Sequence, residues 1–343
     1  MTNALAFLAR DLAVDLGTAS TLIYVRGRGI MLDEPSVVAV NSATGRVVAV
    51  GSDAKRMIGR TPPSILAIRP LKDGVIADFD LTERMLRYFM NQVHARNHVA
   101  KPRMIIAAPG NLTDAEQSAV KEAAHRAGAG PVYILKEPLA AAIGAGLPVN
   151  EPVGNMIVDI GGGTTEVAVI SLGGVVVGQS IGVGGDELDK AIMTFVEKEY
   201  SLELGERTAE SIKILMGSAF PAQDEPQAEV RGRDLVSGMP RTVVISADEV
   251  RQALQEPLSV IVGSVIATLG MCPVELAWDV IDHGIALAGG GAMLRGLDDR
   301  LRRETGLPVY LADDPLTSVA LGTGKCVEDF EAFSRLVPSD ARG

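Results

Sequence analysis

Two short turns of this sequence carry the residue types that can hold phosphate groups beside a metal ion. The first runs Asp15-Leu-Gly-Thr-Ala-Ser-Thr21 and the second runs Asp159-Ile-Gly-Gly-Gly-Thr-Thr165. Backbone N–H groups in such turns can come close to a phosphate, because glycine has no Cβ and accepts a positive φ. We therefore expect phosphate contacts from the residues that follow each aspartate, namely Gly17, Thr18, Ala19, Ser20, Gly161, Gly162, Gly163 and Thr164.

The aspartate that opens each turn predicts a cation at the same site. A carboxylate beside a polyphosphate is repulsive unless a cation lies between them, and Mg²⁺ suits this place through its waters and the phosphate oxygens. Asp15 and Asp159 therefore predict a nucleoside triphosphate bound with Mg²⁺. The chain has neither GxxxxGK[ST] nor a strand followed by GxGxxG, so a P-loop NTPase and a Rossmann dehydrogenase are poor interpretations.

Two further groups have both a structural and a functional interpretation. Gly289-Gly290-Gly291 follows a buried strand; such a turn alone favours a tight strand-to-helix connection, but the two upstream turns favour a floor for the α-phosphate and ribose. Glu210 and Lys213 are three positions apart on a predicted helix, as in many solvated ion pairs. They are also candidates for contacts with the hydroxyls and ring of a nucleoside.

Glu137 is the residue best suited to act on a water molecule. It precedes Pro138 at a predicted helix start, where the helix dipole also favours a carboxylate, so the sequence alone favours the structural role. The four histidines show neither a triad nor a metal-binding pattern, and they are His94, His98, His125 and His283.

Composition limits the class of protein. The net charge is −11, which argues against nucleic acid as a partner, because a sequence-independent grip on phosphates needs a basic surface. The two cysteines, Cys272 and Cys326, cannot build a disulfide framework or a typical zinc site and indicate a reducing, cytosolic compartment. Met1–Leu8 is either a frayed end or a short amphipathic membrane anchor.

The elements that position these residues form a pattern that begins twice. Each aspartate ends an apolar strand and is followed by a turn and two more strands, about one domain length apart. This repetition predicts an α/β chain of two related domains that face each other. Other predicted features are a helix from a cap at Asp80 through Asn91, an exposed connection over Ser218–Arg233 and a buried helix over Pro257–Val274.

With these motifs in place, the chain resembles the actin-like ATPase superfamily and, within it, the MreB family of bacterial rod shape-determining proteins. The resemblance runs from about Leu12 to Lys325. It is carried by Asp15-Leu-Gly-Thr-Ala, Lys72-Asp-Gly-Val-Ile-Ala-Asp78, Glu137-Pro-Leu-Ala-Ala-Ala, Asn155-Met-Ile-Val-Asp-Ile-Gly-Gly-Gly-Thr-Thr-Glu-Val-Ala-Val-Ile170 and Gly205-Glu-Arg-Thr-Ala-Glu-Ser-Ile-Lys213.

The resemblance implies the actin-like ATPase fold, in which two RNase H-like domains each carry a smaller inserted subdomain. The expected first domain spans 10–147 with an insertion at 33–76, and the second spans 148–320 with an insertion at 183–242. The segment 321–343 is expected to return to the first domain. The resemblance assigns Asp15 and Asp159 to the phosphates and Mg²⁺ and Glu137 to the attacking water. It assigns Gly289–Ala292, with Glu210 and Lys213, to the nucleoside.

The implied function is that of an ATP-dependent, filament-forming protein that determines cell shape by organising cell-wall synthesis. The expected partners are further copies of the chain, the inner face of the cytoplasmic membrane, and the cell-wall synthesis and elongation machinery. The expected cofactors are ATP and Mg²⁺, with slow ATP hydrolysis coupled to polymerisation. A non-polymerising or weakly hydrolysing scaffold and a small-molecule kinase of the same superfamily are the alternatives.

Three positions depart from the family pattern. Ser20 replaces an asparagine, Lys136 an acidic residue before Glu137, and Leu215 an acidic residue near the nucleoside. If Lys136 paired with Glu137, it would lower the basicity of that carboxylate. The departures predict weaker nucleotide binding or slower hydrolysis, as in a divergent paralogue of the Mbl kind. The loop His98-Val99-Ala100 is weakly apolar, so Met1–Leu8 is the better candidate for a membrane anchor.

Overall fold

The computed structural model describes residues 10–93, 101–221, 226–334 and 336. The predicted anchor Met1–Leu8, the loop His98–Ala100 and His94 lie outside these residues. Within these residues, the first half of the chain forms ten strands and four helices, in the order β1 (Leu12–Leu16), β2 (Ser20–Val25), β3 (Gly29–Pro35), β4 (Val38–Asn41), β5 (Val47–Val50), α1 (Ser52–Met57), β6 (Ile65–Ile68), β7 (Leu71–Lys72), β8 (Val75–Ile76), α2 (Phe79–Val93), β9 (Met104–Ala108), α3 (Asp114–Ala127), β10 (Val132–Lys136) and α4 (Glu137–Gly144).

The described part of the second half adds eight strands and eight helices. They are β11 (Asn155–Ile160), β12 (Thr165–Ser171), β13 (Gly174–Ile181), α5 (Gly185–Tyr200), β14 (Leu202–Glu203), α6 (Glu206–Met216), β15 (Gln227–Asp234), β16 (Pro240–Ser246), α7 (Ala247–Ala253), α8 (Gln255–Met271), α9 (Val274–His283), β17 (Ile285–Ala288), α10 (Leu297–Thr305), β18 (Val309–Leu311), α11 (Ser318–Glu328) and α12 (Phe330–Phe333). A 3₁₀ turn, Gly290–Met293, lies between β17 and α10.

Two five-stranded sheets share one strand order. The first is β3-β2-β1-β9-β10 and the second is β13-β12-β11-β17-β18. In each, the first three strands are antiparallel and the last two run parallel to the strand that ends in the aspartate. The prediction of two related α/β domains is therefore confirmed.

Each large sheet has a smaller three-stranded sheet beside it in the chain. These are β5-β4-β6, packed with α1, and β14-β15-β16, which precedes α7. Strand β3 stays in the first large sheet up to Pro35, and the small sheet begins at Val38. The limits predicted for the insertions stay predictions.

A shared apolar core joins the two domains. It combines inward-facing residues of both sheets, such as Ala13 and Ile157, with helices α4 and α11. The two helices are in close contact, because a Cβ placed on Gly322 of α11 would lie 1.8 Å from the carbonyl oxygen of Ala140 in α4. Helix α11 also packs on β1, so the chain after the second sheet returns to the first.

Two predictions about local structure were wrong. The predicted exposed connection Ser218–Arg233 contains most of β15, because Ala228 and Val230 alternate with charged residues and face the core, which is a strand pattern. Helix α2 is capped by Asp78 rather than Asp80, since Asp78 Oδ1 accepts from the N–H of Leu81 at 3.0 Å.

Helix α8 matches the predicted helix over Pro257–Val274, but only one of its faces is buried. Leu258, Ile261 and Val265 are buried, whereas Val260 and Ile266 are nearly half exposed. Among the described residues, no single helix has the length and apolar character to cross a membrane. The pair α7 and α8, bent by 54°, passes that test by length and composition alone.

Candidate functional site

A cavity of about 500 Å³ lies between the two domains, at the carboxyl ends of β1 and β11. Sixteen of the seventeen residues that the sequence predicts for the site line this cavity, although they come from distant segments of the chain. The predicted residues that line the cavity are Asp15, Gly17, Thr18, Ala19, Ser20, Glu137, Asp159, Gly161, Gly162, Gly163, Thr164, Glu210, Lys213, Gly289, Gly290 and Gly291. Ala292 is buried next to them and is not part of the lining.

The two turns close in the same way. In the first, the N–H of Gly17 donates to the carbonyl of Ser20 at 3.0 Å, and in the second the N–H of Gly161 donates to the carbonyl of Thr164 at 2.8 Å. The Ser36 hydroxyl supports the first turn by donating to the Gly17 carbonyl at 2.7 Å. Because the same hydrogen bond closes each turn, the two turns have similar shapes and face the same cavity from opposite domains.

The two turns approach each other so closely that side chains are excluded. A Cβ on Gly162 would lie 2.4 Å from the Cβ of Ala19, and a Cβ on Gly163 would lie 2.7 Å from Oγ1 of Thr18. Real Cβ atoms do not come this close to other heavy atoms, so glycine is required at both positions. The glycines therefore set the width of the cleft between the domains, besides offering N–H groups to a ligand.

Three carboxyl groups at the cavity have strongly raised pKa values. Loss of solvation raises the pKa of Asp15 to about 7, and Asp33 adds to the effect. Burial raises the pKa of Asp159 to about 8, with further contributions from Asp15 and Glu166. The pKa of Glu137 is also raised, mainly by desolvation and then by Asp159 and Asp15. A cation among these groups would favour their charged forms, and oxygen donors of this kind suit Mg²⁺.

Glu166 belongs to the same group of carboxylates and was missed in the sequence. It lies opposite Asp159 in the ladder between β11 and β12, and it is 3% exposed. The N–H of Gly110, which belongs to the first domain, donates to its Oε2 at 3.3 Å. Burial raises the pKa of Glu166, and the hydrogen bonds from Ser180 and Gly110 oppose that rise. Its signal was the single charge in the otherwise uncharged strand Thr165–Ser171.

Helix α6 brings Glu210 and Lys213 to the cavity, but they do not pair with each other as the sequence suggested. Lys213 Nζ lies 2.9 Å from Oδ1 of Asp189 and donates to the Gly185 carbonyl at 2.9 Å. Glu210 Oε1 instead accepts from Lys55 Nζ of the first domain at 2.8 Å. Both side chains therefore have fixed positions at the cavity wall.

The structure corrects the expectations for Lys136 and Leu215. Lys136 is exposed at the end of β10, and the pKa of Glu137 is raised by desolvation and by other carboxylates rather than lowered by this lysine. Leu215 is 70% exposed and does not line the cavity, whereas its neighbour Ile214 does. Of the three departures, only Ser20 lies on the cavity wall.

Two facing domains of equal strand order, with an acidic glycine turn on each wall of one cleft, define the actin-like ATPase fold. The family model described as MreB/Mbl protein matches residues 9–335. The chain belongs to the MreB/Mbl family.

Curated relatives and solved structures agree with this assignment. The chain is 50% identical over 327 residues to the cell shape-determining protein Mbl of Bacillus subtilis (strain 168), covering 95% of this chain and 98% of the relative. It is 53% identical over 325 residues to the cell shape-determining protein MreB of Escherichia coli (strain K12), covering 93% and 94%.

Among solved structures, MreB 5 of Spiroplasma citri bound to AMPPNP superposes with a TM-score of 0.91 at 37% identity. The match covers 95% of this chain and 98% of that one. The MamK double helical filament superposes with a TM-score of 0.79 at 22% identity, with 94% and 99% covered, and this likeness concerns the fold.

Proposed function

We propose that this protein is an ATP-dependent, filament-forming determinant of cell shape that works at the inner face of the cytoplasmic membrane. The observation that carries the proposal is the cavity between the domains, where two closely opposed glycine turns meet Asp15, Asp159 and Glu137. Family membership supports the cellular role, since the curated relatives are named cell shape-determining proteins.

The cavity fits a nucleoside triphosphate. Its volume of about 500 Å³ is in the range of small-molecule sites, which run from about 300 to about 1,000 Å³. The turn residues 17–20 and 161–164 offer N–H and hydroxyl donors to the phosphates from both domains. The structure of the Spiroplasma citri relative with AMPPNP, and another with ADP, support the same ligand class for this chain.

Mg²⁺ fits the acidic end of the cavity. Burial and neighbouring carboxylates raise the pKa of Asp15 and Asp159, and Mg²⁺ with its waters would favour their charged forms. When bound, the ion would neutralise charge on the phosphates. Asp15 and Asp159 would hold it through water from the two sides of the cleft.

The nucleoside would lie toward helix α6 and the Gly289–Gly291 turn. Glu210 and Lys213 line that end of the cavity. Gly289 leaves no room for a side chain, since a Cβ there would lie 2.3 Å from the carbonyl oxygen of Ile160. The Gly289–Gly291 turn can therefore lie flat beneath a nucleoside. The carboxylate and ammonium groups are donors and acceptors of the kind that ribose hydroxyls and a base ring need. Ala292 supports this floor from behind.

Glu137 would orient the attacking water in a slow, Mg²⁺-dependent hydrolysis of ATP. It stands at the first position of α4, on the cavity wall, where burial and then the neighbouring carboxylates raise its pKa. Mg²⁺ nearby would favour the charged form of this carboxylate, which is the form that can accept a hydrogen bond from the water. We infer that hydrolysis is coupled to polymerisation, with Ser20 as the remaining departure on the phosphate side.

Assembly of further copies is proposed from the exposed apolar face of α9. Val274, Trp278 and Ile281 follow helical spacing and are 68%, 65% and 44% exposed. Exposed apolar patches of this kind mark interaction surfaces.

Met1–Leu8 is the proposed membrane anchor, and the cell-wall synthesis and elongation machinery is the proposed partner at the membrane. We also propose the domain limits 10–147 and 148–320, with the segment from 321 packed on the first domain.

Light scattering with purified protein tests this function. Addition of ATP and Mg²⁺ is expected to raise the scattering, and chelation of Mg²⁺ is expected to prevent the rise. A protein that stays monomeric under all nucleotide conditions would contradict the filament. If such a monomer phosphorylated a small metabolite, it would be a kinase of the same superfamily.

A further inference from the structure

Three contacts cross the mouth of the cleft from the first domain to helix α6 of the second. Lys55 Nζ lies 2.8 Å from Glu210 Oε1, and Arg69 Nη1 lies 2.9 Å from Glu206 Oε2. Arg207 completes the set, because its Nη1 donates to a backbone carbonyl at the end of α1, that of Arg56, at 3.4 Å. These contacts connect helix α1 and the end of β6 to one face of α6.

Glu210 has a special place among these groups because it faces two cavities. It lines the cavity of about 500 Å³ described above, and also a second one of about 380 Å³ between the small subdomains, which Lys55 lines as well. The Lys55–Glu210 pair is about one-third exposed on each side chain. It therefore stands between the nucleoside end of the site and the solvent.

We propose that Lys55 is a positioning residue of the nucleotide site, which holds the Glu210 carboxylate at the nucleoside and thereby fastens the cleft around the ligand. The proposal rests on the proposed function for the identity of the ligand. Glu210 Oε1 is engaged by Lys55, and among the described residues Oε2 has no hydrogen bond or ion pair, so that oxygen is available to a ligand hydroxyl. A side chain of the first domain thus orders a ligand group of the second.

This arrangement couples two events. Nucleotide release requires the domains to separate at the mouth, and separation breaks Lys55–Glu210 and Arg69–Glu206 together. Part-exposed ion pairs of this kind have modest strength and are screened by salt. Loss of Lys55 should accordingly speed the release of the nucleotide about two- to fivefold, and added salt should have the same effect on the wild-type protein.

The test measures the release of radiolabelled AMPPNP with Mg²⁺, chased by unlabelled AMPPNP. Lys55→Ala is expected to speed release, and Lys55→Arg is expected to restore a rate near that of the wild type. Arg56→Ala is the matched control, since it removes a cation from the next position of the same helix, where the side chain pairs with exposed Asp53. The Arg56 variant is expected to keep the wild-type rate.

A second variant separates positioning from a general structural effect. In a Glu210→Gln background, Lys55→Ala is expected to have little further effect, because its partner charge is gone. If Lys55→Ala keeps its full effect in that background, or has none in the wild type, the positioning role is overturned.

The experiment also distinguishes a failure of nucleotide binding from a failure of the positioning role. If the wild-type protein binds no AMPPNP, the proposed function fails, and the contact between Lys55 and Glu210 across the cleft is then tested without ligand. Spin labels on Ser52→Cys and Ser211→Cys, in a Cys272→Ser background, report the distance across the mouth. Lys55→Ala should lengthen and broaden that distance, and an unchanged distribution would refute the fastening.

Discussion

Asp159 lies directly opposite Glu166 in its ladder, whereas Asp15, at the equivalent place of the other sheet, lies opposite Leu22. The two domains are thus alike in backbone and unequal in charge. Burial is the main cause of the raised pKa of both aspartates, and a neighbouring carboxylate adds to it on each side, Glu166 for Asp159 and Asp33 for Asp15. A cation in the cleft would therefore favour the charged forms of both aspartates.

The width of the cleft gives a first prediction. Gly162→Ala should abolish or strongly weaken nucleotide binding, because its Cβ would lie 2.4 Å from the Cβ of Ala19 and would push the two turns apart. Gly182→Ala is the control, since a Cβ there meets no atom within 4 Å. Equilibrium binding of ATP measures both, and equal affinities for the two variants would show that the turns do not meet in solution.

The raised pKa values predict how stability depends on pH. In the unfolded chain Asp15 and Asp159 titrate near pH 3.8, and in the folded protein near about 7 and about 8. The folded state therefore holds these protons more tightly, and the stability they contribute is fully present below about pH 3.8 and is lost as the pH rises through the folded pKa values of about 7 and about 8. Without ligand, the free energy of unfolding should fall by about 2–4 kcal/mol between about pH 6 and about pH 8.

Thermal unfolding at these two pH values checks this prediction. Asp159→Asn removes one of the titrating groups and should flatten the decline, and ATP with Mg²⁺ should stabilise the protein more at the higher pH. If the stability of the ligand-free wild-type protein instead rose between these two pH values, the raised pKa values of Asp15 and Asp159 would be contradicted.

Part of the fold and of the site could be predicted from the sequence. The strand that leads to each aspartate and the two strands after each turn were predicted, and β1–β3 and β11–β13 confirm them, because buried apolar runs between glycine turns have few alternatives. The convergence of the cavity residues could be predicted, because two similar glycine turns on two related domains are expected to face each other. The Lys55–Glu210 pair could not be predicted, since its members are 155 residues apart and only the packing of α1 on α6 brings them together.

Strand β15 was missed for a related reason. Its inward-facing residues are few and small, and its charged residues face solvent, so composition suggested a loop. The ladder with β16, from Gln227 opposite Ser246 to Arg233 opposite Pro240, supplies the backbone hydrogen bonds that make it a strand. That pairing is a property of two segments and is not visible in either one alone.

The exposed face of α9 predicts an assembly variant. Trp278→Asp should reduce sedimentation of polymer at least severalfold while leaving ATP binding intact, because a charge is placed in the apolar patch. Leu172→Asp is the control, as Leu172 is 70% exposed in the turn between β12 and β13. If Leu172→Asp inhibits assembly and Trp278→Asp does not, the contact surface lies elsewhere.

The proposed anchor gives a prediction about lipid. A chain lacking residues 2–8 should no longer sediment with liposomes of anionic composition, because the apolar contacts Leu5, Phe7 and Leu8 are removed. Assembly with ATP should persist in this variant, which separates the anchor from the filament. Unchanged sedimentation with liposomes would refute the anchor.

The most direct test of the nucleotide site is calorimetric titration of ATP into the wild-type protein and into Asp159→Asn, each with and without Mg²⁺. We predict that Mg²⁺ strengthens ATP binding to the wild type about tenfold or more, which corresponds to about 1.4 kcal/mol, and that most of this gain is lost in the variant. Equal Mg²⁺ dependence in both proteins, or no binding of ATP to the wild type, would contradict the site described here.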